Sequence, residues 1–263
     1  MPIHLATKGP KNGRCNICGE FGPLTEDHTP PKGCYLPTAV VIRHISTHIS
    51  AEKKPSRGRM SQNGVKYRTL CHRCNNAMLG SNYDPHFIAF VNSVGHHLRS
   101  PLLLPSRAFI RGRPQAILRS LVGHIAAQGV DRYLKGPLTE AIRDYFLDDS
   151  LPFPKGLSAY YWTFPFQSHV MARDVAFLDF AHGKPFSMWF LKFFPVAFMI
   201  TWDRPNGFEY PTETFDPWRS LAIDEEVEMP LGLSRIPHQL WPETPTDRSI
   251  LLYGPEAVHV NRH

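Results

Sequence analysis

The sequence predicts an α+β protein, on three observations. Four of the five cysteines fall into two C-x-x-C pairs in the first third of the chain. The middle carries apolar residues at helical spacing. Residues 150–220 then hold 19 of the 31 aromatic residues, with prolines at short intervals, the pattern of short strands. The expected order is a cysteine-bearing N-terminal domain, 1–84, and an α+β C-terminal domain, 85–263. The latter should hold helices over 85–147, an antiparallel aromatic-rich sheet over 157–202 and a proline-rich tail.

Composition narrows the class. With 263 residues, 42% hydrophobic and 20% charged, the chain can bury a substantial core and is no disordered polyelectrolyte. Its 25 prolines exclude a long-helix bundle or coiled coil, because proline breaks helix interiors. Residues 1–14 are polar and carry no signal-like apolar run. The nearest thing to a membrane span, 186–202, contains Lys192 and Pro195 and falls short of about 20 apolar residues. It reads as buried strands. The expectation is a soluble, cytoplasmic protein with no membrane contact.

The first elements are the knuckles, Cys15-Asn-Ile-Cys18 and Cys71-His-Arg-Cys74. A two-residue gap lets one tight turn aim both sulfurs at one tetrahedral ion, and two such turns complete the shell. The reading is one structural Zn²⁺ on Cys15, Cys18, Cys71 and Cys74; the alternative is two disulfides or four free thiols. Gly19 supplies the turn after the first knuckle. Cys34 is left over and reads as a buried thiol.

Fifty-two residues separate the knuckles, too many for a bare zinc ribbon. The first stretch between them reads as a strand ended by Pro30 and Pro31, just after Asp27 and His28. Adjacent strand residues face opposite ways, so those two need a bulge or a strand end to serve one centre. The inserted region also holds His44 and His48. Directly after the second knuckle come Asn75 and Asn76.

Further on, Asp84 and Pro85 read as cap and first residue of a helix over 85–98 with a stripe of Phe87, Phe90, Val91 and Val94. A second helix spans 114–128, opened by Pro114 and lined by Ile117, Leu118, Leu121, Val122 and Ile125, with Gly129 ending it. His124 on it reads as a plain surface or boundary histidine. A third helix covers 138–147. Strands follow at 157–166, 170–180, 187–194 and 197–202, and another at 250–253. The aromatic run reads as core rather than as a base-stacking platform. No internal repeat, phosphate-binding glycine loop or G-x-S-x-G elbow is present.

Charge is uneven. Residues 1–80 hold six lysines and six arginines against four acids, a surplus of eight; the remaining 183 residues hold 17 basic and 19 acidic side chains. A concentrated basic surface attracts polyanions, and nucleic acid is the expected partner.

A C-x-x-C, then Asp27-His28-x-x-Pro31, then Cys71-x-x-Cys74-Asn75 resembles the HNH endonucleases, the ββα-metal nucleases, over about residues 15–84. The resemblance implies an HNH-like ββα-metal domain and a metal-dependent endonuclease that hydrolyses DNA, RNA not excluded. It implies His28 as the general base. It implies Asp27 and Asn75 as ligands of a catalytic Mg²⁺ or Mn²⁺, and the four cysteines as zinc ligands. Lys32, Lys66, Arg68 and Arg73 are the expected nucleic-acid contacts. Lys66 stands where the family's middle Asn usually orients the histidine, so a backbone carbonyl or another side chain, such as that of the nearby Asn63, must do so here. Implied settings are restriction or phage defence, with a homodimer or a regulatory partner subunit, including a toxin-like assembly silent until released. The rival reading is a catalytically inactive zinc-bearing nucleic-acid-binding or adaptor protein, in which His28 is only a hydrogen-bonded scaffold residue.

Overall fold

The computed structural model describes residues 5–36, 38–49, 58–100, 103–136, 138–181, 183–205, 210, 212–234 and 236–262. The fold is mixed α+β with antiparallel sheets. A small sheet joins β1 (Asn12–Arg14), β2 (Phe21–His28) and β5 (Lys66–Cys71) in the order β1-β2-β5. Between β2 and β5 the chain leaves to form β3 (Val40–His44), α1 (Ser46–Ile49) and β4 (Arg59–Ser61). β5 runs straight into a helix, wide π turns over Arg73–Tyr83 followed by α2 (Asp84–Leu98).

α2 buries the predicted stripe: Phe87, Phe90, Val91 and Val94 are all buried. After β6 (Arg107–Gly112) comes α3 (Pro114–Ala126), in which every residue is buried. α3 is therefore the central helix, with its polar side chains as well as its apolar ones enclosed. α4 (Thr139–Leu147) packs beside it. The guanidinium of buried Arg119 on α3 donates to the carbonyls of Asp148, Asp149 and Leu151 just past α4. A cation there satisfies carbonyls that the helix end leaves open.

The aromatic region forms β7 (Leu157–Thr163), β8 (His169–Asp179), β9 (Pro185–Phe193) and β10 (Val196–Trp202). β11 (Glu213–Thr214), β13 (Ser249–Leu252) and β14 (Val258–Arg262) join them, while β12 (Val227–Gly232) pairs with β6. The large sheet has nine strands among the described residues, in the order β11-β7-β10-β9-β8-β14-β3-β4, with β13 also on β8. β3 and β4 come from the insertion between the knuckles. The sheet thus crosses residue 84, and one hydrophobic core runs from Cys15 and Ile17 to Phe198 and Ile200.

The segment 186–202 is the β9–β10 pair, and no described helix is long and apolar enough to cross a membrane. Aromatic contacts join helix to sheet: Phe87 lies 5.1 Å from Phe198 and Phe90 meets Tyr161 edge-on at 5.7 Å. The tail is pinned by Lys192, whose Nζ pairs with Glu243 at 2.6 Å and donates to the Gln239 and Trp241 carbonyls, both charged groups wholly buried.

Candidate metal centre and histidine site

The four knuckle cysteines come together. Their sulfurs lie within 4.8 Å of one another, and Cys18 Sγ is 3.7 Å from Cys71 Sγ. Tetrahedral thiolates at about 2.3 Å from zinc sit roughly 3.8 Å apart, so the cluster has the size zinc requires. All five cysteines are free of disulfides. Crowding sets the thiols against each other. The hydrogen bond between Cys15 and Cys18 pulls the Cys15 thiol down to about 7 and pushes that of Cys18 up. A divalent cation removes that conflict by accepting four thiolates.

The knuckle turn needs Gly19. Its φ is +79°, and a Cβ there would lie 2.2 Å from the Tyr133 ring. Asn16, inside the same knuckle and buried, donates from Nδ2 to the carbonyls of Ala126 and Gly129 and accepts from the Arg132 amide. Thr69, just before the second knuckle, donates to the Ala127 carbonyl, and Arg173 on β8 donates to Ala126. The carbonyls at the end of α3 are thus held by the metal region and by the sheet.

At the other end of the β2–β5 pair stands His28, opposite Lys66. A backbone hydrogen bond to Asn63 holds the ring, and Nε2 is buried with no partner. Burial lowers its pKa to about 4, helped by the charges of Lys32 and Lys66, so the ring is neutral at pH 7. Asn75, buried in the first turn after Cys74, donates from Nδ2 to Thr25 Oγ1 and to the Glu26 carbonyl, two residues before His28. Because a carbonyl can only accept, the amide's orientation is fixed and Oδ1 points away from β2. A bulge between Thr25 and Glu26 shifts the register here.

Asp27 faces the opposite way from His28, as strand alternation requires. It is 4% exposed, and Oδ2 accepts from Thr29 and pairs with His124 Nδ1 at 2.9 Å. His124 Nε2 in turn meets Asp84 Oδ1 at 2.9 Å, and Ser120 donates to the same oxygen. Burial alone would lower the His124 pKa; the two carboxylates outweigh it and raise it to about 10, so the ring is an imidazolium between two acids. Both hydrogen bonds to Asp27 end on Oδ2, which leaves Oδ1 as the oxygen that a hard cation could use.

This chain corrects two readings. His124 is wholly buried, not a surface or boundary residue. Asp84 is no cap: the helix already runs through it from the π turns, so its carboxylate turns to Ser120 and His124. One signal marks the arrangement in sequence: Ser120 and His124 on α3 and Gln128 just past it follow one another at four-residue intervals, a polar line along a mostly apolar segment.

The cationic residues divide. Lys32 and Arg73 are exposed. Lys66 pairs with Glu26 at 3.3 Å, and Arg68 donates twice to the Gly9 carbonyl, clamping the N-terminal segment. Lys53, Lys54 and Arg57, three cations of the basic surplus, lie outside the described residues. Of the insertion's histidines, His44 bonds Ser46 and the Gly254 carbonyl, and His48 stacks on His259 at 3.4 Å. Among the described residues the four cysteines are the only group of three or more His, Cys, Asp or Glu side chains close enough to hold a metal. No family model matches the chain, and neither a curated protein nor a solved structure is significantly similar to it.

Proposed function

We propose that the chain is a metal-dependent endonuclease of HNH type that hydrolyses DNA phosphodiester bonds. One observation carries the reading. His28 ends β2, and the far end of the β2–β5 pairing holds Cys71 of the four-cysteine cluster; the ring is neutral at pH 7, held from the backbone, with an unpartnered Nε2 and the charges of Lys32 and Lys66 nearby. That is the state a general base needs.

In this reading Nε2 takes a proton from water as the water oxygen bonds to phosphorus. The P–O3′ bond breaks, its electron pair stays on O3′, and solvent protonates it. Lys32 and Lys66 draw the phosphate toward His28. Of the ligands the resemblance implies, Asn75 keeps its Oδ1 out of its two hydrogen bonds while Asp27 faces away from His28, so one Mg²⁺ or Mn²⁺ at the phosphate would need Asp27 to turn from His124. Such an ion neutralises charge on the phosphate and on the leaving oxygen. Zinc on the cysteines is structural.

The second reading, an inactive zinc-bearing nucleic-acid-binding or adaptor protein, is favoured by one observation: the imidazolium of His124 already balances Asp27. The test is incubation of the zinc-loaded protein with supercoiled plasmid, with and without Mg²⁺ or Mn²⁺. Nicking by wild type and loss of about 10²–10⁴-fold in His28→Ala support the nuclease. His28→Ala cutting at the wild-type rate sinks the assignment, and no cutting with either metal leaves the binding module.

A further inference from the structure

The segment that follows His28 walls a cavity of about 280 Å³ whose other side is β9 and the start of β8. Pro30 and Cys34 belong to the near wall, while His169 and Phe193 belong to the far one, with Phe194 just past it. The volume lies just below the usual range for ligand sites, about 300–1,000 Å³, and so admits one small molecule rather than a polymer.

Three features of the walls specify a ligand. First, Phe193 and Phe194 offer aromatic surface, which favours a flat ring. Second, His169 Nε2 is buried without a partner. A buried nitrogen left unmatched costs free energy that a ligand's hydrogen bond recovers, so the ring it favours carries polar ring or edge atoms. Burial keeps His169 neutral, its pKa lowered to about 4, which lets it match a neutral heterocycle. Third, Arg99 stands exposed at the rim with its guanidinium 5.2 Å from the centre of the Phe194 ring. No described carboxylate forms an ion pair with it. An unpaired guanidinium beside an aromatic wall is suited to an anion attached to the flat group inside, and pairs well with phosphate.

A hydrogen-bonding flat ring inside and an anion at the mouth together describe a nucleotide. We propose that this cavity binds a mononucleotide, base against the aromatic wall and edge-on to His169, phosphate on Arg99. The nucleotide can come from two sources, a free nucleoside monophosphate or a nucleotide turned out of a bound strand. The site does not require the cleavage reading, since its occupancy is measurable without turnover.

The experiment titrates the full-length, zinc-loaded protein with AMP, GMP, CMP and UMP separately, in Mg²⁺-free buffer, by calorimetry. A parallel arm follows 2-aminopurine fluorescence in a single-stranded oligonucleotide. Arg99→Ala is the main variant, because an exposed side chain can be removed without harm to the fold, and His169→Gln is the second. Saturable binding of at least one monophosphate, weakened tenfold or more by Arg99→Ala and also by His169→Gln, establishes the site as one for free nucleotides. No monophosphate binding, together with a rise in 2-aminopurine fluorescence that Arg99→Ala abolishes, establishes the strand as source. No response in either arm overturns the proposal, and so does binding that both variants leave unchanged. A protein that binds monophosphates but never cuts plasmid would lose the nuclease reading and keep this one.

Discussion

The two halves of the molecule are held together by different physics. In the region around the knuckles, two of the three strands contribute little to the core: β1 and β2 bury few residues, and Phe21 is 75% exposed, although Ile17 and, on β5, Tyr67 and Leu70 are buried. Its order rests on four sulfurs and on polar contacts such as Asn16 to Ala126, Thr69 to Ala127 and Arg68 to Gly9. The large sheet is the reverse. β7, β9 and β10 are buried almost throughout, and ring contacts tie them to α2. The candidate histidine site lies in the first kind of region and leans on the second through α3. A site built on few apolar contacts gets its rigidity from directional bonds, so it is sensitive to single polar changes.

Removing a cysteine of the four-sulfur cluster, the proposed zinc site, should break this contrast most sharply. Metal binding supplies folding free energy on the order of 10 kcal/mol in small zinc modules. Cys71→Ser should therefore lose zinc and unfold the β1-β2-β5 sheet, while the aromatic sheet persists. Elemental analysis gives the first outcome and limited proteolysis with mass spectrometry the second. Cleavage spread evenly along the chain would show that the two regions share one cooperative unit.

A matched pair of substitutions sharpens the comparison. Phe198→Ala removes a ring packed on Phe87 and Phe90 and should cost about 3–5 kcal/mol in cavity and transfer terms. His124→Ala should cost a similar 3–5 kcal/mol for another reason: two buried carboxylates, Asp27 and Asp84, lose the charge between them. Urea midpoints measure both. They should differ in the site: plasmid cutting under native conditions falls in His124→Ala, where the end of β2 is released, and stays near wild type in Phe198→Ala.

Asn16 joins the regions and should give a smaller effect. Asn16→Ala strips three hydrogen bonds from buried backbone groups at the end of α3, for about 2–3 kcal/mol. Zinc content should stay at one per chain. A variant as stable as wild type in urea would remove Asn16 from the coupling.

Legibility in the sequence follows the same divide. Local signals were readable. The two C-x-x-C knuckles converge, Pro114 opens α3, the stripe of α2 is buried, and the strands expected at 157–166, 170–180, 187–194, 197–202 and 250–253 correspond to β7, β8, β9, β10 and β13. Non-local pairings were not. Nothing in 40–44 says that this strand lies beside a C-terminal one, with 59–61 on its other edge, because pairing across more than 200 residues leaves no periodic trace. The burial of His124 was hidden for a related reason: a helix enclosed on all sides lacks a polar face to show which polar residues point inward. At the candidate site the order of Asp27 and His28 was plain and strand alternation gives their opposite orientations, but the partner that Asp27 finds on α3 was not legible.

The mildest test uses pH and lies on the sheet side. His259 on β14 is 4% exposed and stacks on His48. Burial lowers its pKa to about 3, and the neighbouring His48, His169, Arg43 and Lys192 push in the same direction. A histidine whose folded pKa lies below its unfolded value near 6.5 favours folding above that value and opposes it increasingly as pH falls toward the folded one. Between pH 7 and pH 5 the unfolded chain gains a proton that folded His259 does not accept, a loss of about 2 kcal/mol in stability. In His259→Leu this loss should vanish, so the variant should lose about 2 kcal/mol less than wild type over the same interval. Urea unfolding at the two pH values, followed by tryptophan fluorescence, measures the difference. Equal pH dependence in the two proteins would mean that the folded sheet takes up the proton at His259 as readily as the unfolded chain does.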